Sequence, residues 1–194
     1  MEELISFLKS IRPISPALEA YLRSVLKQRF VKKKEIILKE GQISKNIYFV
    51  KSGLVQGYEW RKERLVTTWI MKQGNIIFSP ESFLHQIRTI EFIAALEDCE
   101  LWGITYEELE YAYETFPEFN LHGRIITGEY YIKNKKLLSF VTGNTALEKY
   151  QILSDSDADL IQRVPGKVLA SYLDVTPETL SVIRAQISKG NKND

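Results

Sequence analysis

The spacing of apolar positions changes character twice along the chain. Ser15-Pro16 opens a helical stretch. Serine offers a side-chain acceptor to the unpaired N–H groups of a helix start, and proline is preorganised for the first helical position. Leu18, Leu22 and Leu26 then recur every fourth residue, which predicts one apolar stripe through about Gln28. From Phe30 the pattern shortens and becomes β-rich. Glu35 to Leu38, Asn46 to Val50, Val55 to Trp60, Leu65 to Met71, Asn75 to Phe78, Ile90 to Ala95 and Cys99 to Ile104 read as strands. Gly41, Gly53 and Gly74 sit in the turns between them. About seven short strands in roughly 75 residues predict a sandwich or barrel.

Helical spacing returns after Ile104. Thr105 and Glu108 form a capping box, each able to satisfy the other's free backbone donor. The helix they start ends near Phe116-Pro117. A long helix follows from Pro117 to Val141, with Leu121, Ile125, Ile126, Tyr130, Ile132, Leu137 and Leu138 on more than one stripe. One stripe is expected to cover the β-domain and another to face a partner. Gly128 and Lys135 interrupt any strict coiled-coil seam. Thr145 and Glu148 make a second capping box and begin a final helical unit.

That unit ends in "VPGKVLASYLDVTPETLSVIRAQISKG". A first helix is predicted from about Pro165 to Tyr172, and a second from Thr176 as N-cap with Pro177 in its first position. Asp174-Val175 is too short for anything but a tight turn. Aspartate tolerates the left-handed backbone that glycine usually supplies there. Two helices meeting around a three-to-four-residue turn match the helix-turn-helix pattern. At 100° per residue, Leu180, Ile183 and Ile187 fall on one side of the second helix. Glu178, Ser181, Val182, Ala185, Gln186 and Lys189 fall on the other. The alternative is a buried pair of helices with a solvated outer face.

Composition narrows the function classes. The 194 residues are 44% hydrophobic and 26% charged, with net charge +1, so any basic surface must be local. A single cysteine, Cys99, excludes an internal disulfide and a self-contained iron–sulfur cluster. His85 and His122 show no metal-ligand spacing. The start, "MEELISFLKSIRP", lacks the long apolar run of a signal peptide, and no run is long enough to span a membrane, so a cytoplasmic protein is expected. No Gly-rich phosphate loop or nucleophile–base pair is present, so no enzyme is expected.

The order of β-rich domain, long helix and terminal helix-turn-helix resembles the superfamily of the cyclic-AMP receptor protein and the fumarate–nitrate regulator. "EIILKEGQ" with "IYFVKSGLV", then "AALEDCELWGI", then the terminal string carry the resemblance, which covers nearly the whole chain. It implies an α+β fold: a jelly-roll-like, cyclic-nucleotide-binding-domain-like β-roll with flanking helices over 1–116, a dimerisation helix over 117–142, and a helix-turn-helix unit over 143–194. It also implies a homodimer on two-fold-related half-sites of double-stranded DNA, with RNA polymerase as a further partner. Leu121, Ile125 and Ile132 are the expected dimer contacts.

Family members that bind cyclic nucleotides carry a Gly-Glu-Leu-like start and, about ten residues later, Arg-Ser or Arg-Thr. The Glu accepts from the ribose and the Arg pairs the phosphate. "NIIFSPESFLHQIRTIEFIAALEDC" has no Gly-Glu-Leu, and Glu81 and Arg88 lie only seven apart. Cyclic AMP is therefore not the expected ligand, and no cofactor is implied. Glu81, Ser82, His85, Arg88 and Thr89 form the candidate pocket for a different effector. Ranked ahead of this is the reading that Glu81 and Arg88 are solvated loop charges and His85 polar loop surface, and cyclic AMP ranks third. His85 as a haem ligand ranks below these.

The candidate DNA-contacting residues are Lys167, Thr176, Glu178, Ser181, Val182, Arg184, Gln186 and Lys189. Glu178 matches the family's reading glutamate and can accept from a cytosine amine. Val182 stands where an arginine often reads guanine, and can touch a thymine methyl instead. Arg184 projects to the flank, toward phosphate. From Ile161 onward Arg163, Lys167, Arg184, Lys189 and Lys192 oppose Asp174, Glu178 and Asp194, a modest cationic balance. No β-wing is expected after Lys189. A rival function is an effector-binding or protein-interaction module whose helix-turn-helix no longer reads DNA.

Overall fold

The computed structural model describes residues 1–190, apart from the side chains at 141, 189 and 190. Helices α1 (Glu2–Ile11) and α2 (Pro16–Val25) lead into strands β1 (Lys27–Val31), β2 (Ile36–Leu38), β3 (Asn46–Ser52), β4 (Leu54–Arg61), β5 (Arg64–Lys72) and β6 (Ile76–Ile77). Helix α3 (Pro80–His85) precedes β7 (Glu91–Ala95) and β8 (Cys99–Thr105). Helices α4 (Tyr106–Thr115), α5 (Phe119–Gly143), α6 (Ala146–Ser156), α7 (Ala158–Arg163), α8 (Gly166–Tyr172) and α9 (Pro177–Gly190) complete the described chain. The strands form two four-stranded sheets, ordered β1-β8-β3-β6 and β2-β7-β4-β5. This is the expected α+β architecture with a β-roll.

Strand alternation sorts the first sheet into two faces. Val31, Val50 and Leu101 are fully buried on one face, where Leu101 pairs with Arg29 and Val50. Phe49 and Ile104 lie on the opposite face and pack with Leu4, Ile5 and Leu8 of α1 and Leu18 and Leu22 of α2. The helices thus cover the outside of the roll. His122 is buried at the root of α5, its ring nitrogens 3.3 Å from the Glu118 carbonyl and 3.1 Å from the Arg12 carbonyl.

Local chemistry sets the helix boundaries as expected at three N-caps. Ser15 accepts from the Leu18 N–H at 3.2 Å, and both capping boxes, Thr105/Glu108 and Thr145/Glu148, are formed. Two expectations change and one helix is added. Helix α2 stops at Val25 rather than Gln28, because Lys27–Val31 pairs in full register with β8. Residues 2–11 form a helix that no capping signal announced. Glu81 and His85 belong to the short helix α3 and not to a loop, since Ser79-Pro80 starts a turn that Gln86 ends in the left-handed conformation.

The chain divides into two compact units, residues 1–57 with 70–132, and residues 58–69 with the chain from Lys133 onward. The tip of the β4–β5 hairpin therefore groups with the C-terminal helices. Among the described residues, no helix is long and apolar enough to cross a membrane.

Candidate effector cavity and nucleic-acid interface

A cavity of about 520 Å3 opens in the first unit. Its apolar wall includes Leu38, Ile77, Phe78 and Ile93, from strands of both sheets and the residue after β6, with Ile37 and Ile43 beside them. Its polar wall carries Arg29, Lys45, Arg88, Asn46 and Tyr48, and no carboxylate is among the described residues that line it. Strand register brings Arg29 and Tyr48 inward: Arg29 pairs with Leu101 and Tyr48 with Gly103 on the same face as Val50. A Cβ on Gly103 would lie 2.5 Å from the Tyr48 ring, so glycine is what lets that ring cross β8. The Arg29 guanidinium donates to the Tyr48 hydroxyl at 3.2 Å and to Glu35 at 3.3 Å. Such a wall favours an anionic ligand with an apolar body.

The sequence-predicted pocket residues are placed differently from one another. Arg88 lines the cavity, and its segment bridges to Ile43 of the cavity wall. Glu81 and His85 are exposed on α3. Ser82 is buried, accepting from the Ser44 N–H at 2.9 Å and donating to the Ile87 carbonyl. Thr89 is buried beside the Ser79 hydroxyl at 3.0 Å and accepts from the Glu91 N–H. Both hydroxyls hold the turn around α3. Sequence reasoning missed Arg29, Lys45 and Tyr48. The alternation Arg29, Val31 within β1 was the signal that Arg29 faces inward.

In the second unit, α8 and α9 meet around Leu173 to Thr176. Asp174 has φ 57, the left-handed value, and the Val175 N–H returns to the Ala170 carbonyl at 2.9 Å. Leu169, Ala170, Leu173, Leu180 and Ile183 are buried together with Leu160 and Val164. Thr176 caps α9 by accepting from the Thr179 N–H at 3.2 Å. Glu178, Ser181 and Gln186 are exposed on the outer face, as is Val182 at 57%. Its own backbone N–H and the Thr176 hydroxyl hold the Glu178 carboxyl below its ordinary range, so it is ionised at neutral pH. Lys167 is exposed in the first turn of α8. Arg184 is half-buried, its guanidinium 6.0 Å from the centre of the Tyr150 ring, where it braces α9 against α6. Lys189 lies outside the described side chains.

Helix α5 carries two stripes. Phe119, His122, Ile126 and Tyr130 face the β-roll unit: Phe119 and Ile126 join its core, and the Tyr130 ring lies 6.2 Å from that of Phe78. Leu121, Ile125, Gly128 and Ile132 share the opposite stripe. Leu121 and Ile125 are half-buried, Ile132 is 47% exposed, and nothing lies within 4 Å of a Cβ placed on Gly128.

Comparison with known proteins adds to this geometry. The family model described as the cyclic nucleotide-binding domain matches residues 28–116. Those residues are the β-roll with α3 and α4. Residues 28–116 are similar to a cyclic nucleotide-binding domain. Over most of its length the chain also shares its fold with solved structures of bacterial regulators. Among solved structures, FixK2 from Bradyrhizobium japonicum superposes with TM-score 0.72 at 16% identity, covering 86% of this chain and 86% of that one. CooA from Carboxydothermus hydrogenoformans gives 0.66 at 20% identity, covering 92% and 81%. The c-di-GMP-responsive global regulator CLP of Xanthomonas campestris gives 0.67 at 13% identity, covering 91% and 93%. No curated protein sequence matches the chain.

Helix α3 lies within the matched residues. Pro80 occupies its first helical position and brings no N–H there. The Phe78 ring packs edge-on against Phe83 at 5.5 Å and meets Tyr130, so aromatic side chains fill the space between α3 and α5. The cavity lies instead toward β1, the 41–46 loop and Tyr48.

Proposed function

We propose that the protein is a homodimeric DNA-binding transcription regulator whose cyclic nucleotide-binding domain takes an anionic ligand other than cyclic AMP. Residues 1–116 serve as the effector domain, 117–142 as the dimerisation helix and the chain from 143 as the reading unit. The observation that carries the reading is the α8–α9 pair. Its inner face is closed by Leu169, Leu173, Leu180 and Ile183, while Glu178, Ser181, Val182 and Gln186 are left exposed on one face of α9. A second helix free on its outer face, beginning at a capped N-terminus, is what enters a major groove. Lys167 is placed for phosphate, and Arg184 acts through Tyr150 by holding α9 in place. Selection of bound sequences from a random duplex library tests the reading directly. Enriched palindromes support it, and failure to bind any duplex at low salt favours a protein-docking surface at Val182.

Two outcomes follow. Glu178→Ala is expected to change base preference at one position per half-site by roughly 1–3 kcal/mol, with little change in the salt dependence of binding. Fluorescence anisotropy on selected and scrambled duplexes measures both, and a uniform loss across sequences would count against Glu178 as a base reader. Cyclic AMP and cyclic GMP are expected to give no heat on calorimetric titration at physiological concentrations. Low-micromolar binding of either would overturn the ligand assignment.

A further inference from the structure

We infer that Ser171 and Arg64 are positioning residues for DNA binding: they clasp the β4–β5 hairpin to the helix-turn-helix and hold it in the orientation that reads DNA. The inference rests on the DNA-binding reading above. Strand β5 is the last strand of its sheet, so among the described residues one of its edges has no neighbouring strand. Residues of one parity on a strand direct their backbone N–H and C=O groups to the same edge. Leu65 and Thr67 share that parity. The Ser171 hydroxyl, on α8, accepts from the Thr67 N–H at 2.9 Å and donates to the Leu65 carbonyl at 3.4 Å. One side chain of α8 thus meets both backbone groups, at Leu65 and Thr67, that a further strand would have met.

The second arm of the clasp is ionic. The Arg64 guanidinium donates to the Asp174 carboxylate at 2.7 Å. Asp174 is the left-handed residue of the turn, two positions before the N-cap of α9. Both partners are well exposed, so the pair contributes little stability. Its effect is geometric and electrostatic. It fixes the turn to the hairpin, and it neutralises a carboxylate close to where the start of α9 approaches phosphates.

The position of the clasp decides its sense. It engages α8 and the turn and leaves Glu178, Ser181, Val182 and Gln186 exposed. A device that blocked DNA would cover that outer face. This one braces the unit from behind, so releasing it costs affinity.

The test uses the full chain and a 30-base-pair duplex carrying the selected palindrome. Ser171→Ala is expected to weaken binding roughly five- to tenfold by loss of its hydrogen bonds. Arg64→Asp is expected to weaken it further than Arg64→Ala, because it sets two carboxylates together. Combining Arg64→Asp with Asp174→Asn, which removes the facing charge and keeps a residue tolerant of the left-handed turn, is expected to recover part of the loss, which a merely destabilised fold would not do. Amide exchange at Thr67 should accelerate in Ser171→Ala while the melting temperature stays within a few degrees. Unchanged or tighter binding in Ser171→Ala and Arg64→Asp overturns the brace while the DNA reading stands. Failure of the unaltered protein to bind any duplex overturns both.

Discussion

Replacing Gly53 with alanine is expected to destabilise the β-roll by roughly 2–4 kcal/mol, the sum of backbone strain and overpacking. Gly53 joins β3 to β4 at φ 100, a conformation that L side chains rarely adopt. A Cβ there would also lie 2.5 Å from the Cys99 Sγ, 2.7 Å from the Asp98 carbonyl and 2.9 Å from the Cys99 Cα. Two of these three are backbone atoms of the segment entering β8, and β8 pairs with both β1 and β3. The strand cannot yield without disturbing two ladders. Gly41 and Gly74 supply the control. They have φ 81 and 84 but nothing within 4 Å of the place a Cβ would take, so alanine at either carries the strain alone, about 1 kcal/mol. Urea unfolding monitored by tryptophan fluorescence separates the cases. Equal midpoint shifts in all three variants would show that contact with β8 contributes nothing.

Gly53 was visible in the sequence as a turn glycine, while its contact with Cys99, far along the chain, was not. That contrast holds elsewhere. Features set by neighbours within a few residues were legible: the Ser15 cap, both capping boxes, the strand runs around Ile37 and Phe49, and the Asp174 turn. Features set by strand register or long-range packing were not. Residues 27–31 lack a strong period of their own and become a strand because β8 offers a partner. Helix α1 is short, and its Leu4, Ile5 and Leu8 acquire meaning only against Phe49 and Ile104. The cavity wall draws on Arg29, Lys45, Tyr48 and Arg88, which only the pairing of β1, β8 and β3 and the Ile43–Arg88 bridge bring together. The contact of β5 with Ser171 spans more than a hundred residues, and no local pattern encodes it.

Ile132→Glu is expected to convert a dimer into monomers, at a cost on the order of 3–5 kcal/mol for a charge left unpaired in an apolar interface. Helix α5 leaves one apolar stripe incompletely buried. Phe119, His122, Ile126 and Tyr130 already satisfy the stripe facing the roll. Leu121, Ile125, Gly128 and Ile132 lie on the opposite stripe, and Tyr131 and Leu138 flank it at 71% and 64% exposure. Apolar side chains at this spacing on a solvent-facing stripe are what a second helix covers. Gly128 sharpens the expectation: with open space above its Cα, another backbone can approach closely at mid-stripe. A glutamate at 132 would be solvated in a monomer, where the residue is already 47% exposed, so the fold itself should be unaffected. The cost falls on association alone. Sedimentation velocity at micromolar concentration should show a dimer for the unaltered chain and a monomer of unchanged circular dichroism for Ile132→Glu. Affinity for a palindromic duplex should fall with it, because two half-sites are then bound without linkage. A monomeric unaltered protein would remove the second stripe from the argument, and a dimer that survives Ile132→Glu would place the interface elsewhere on the chain.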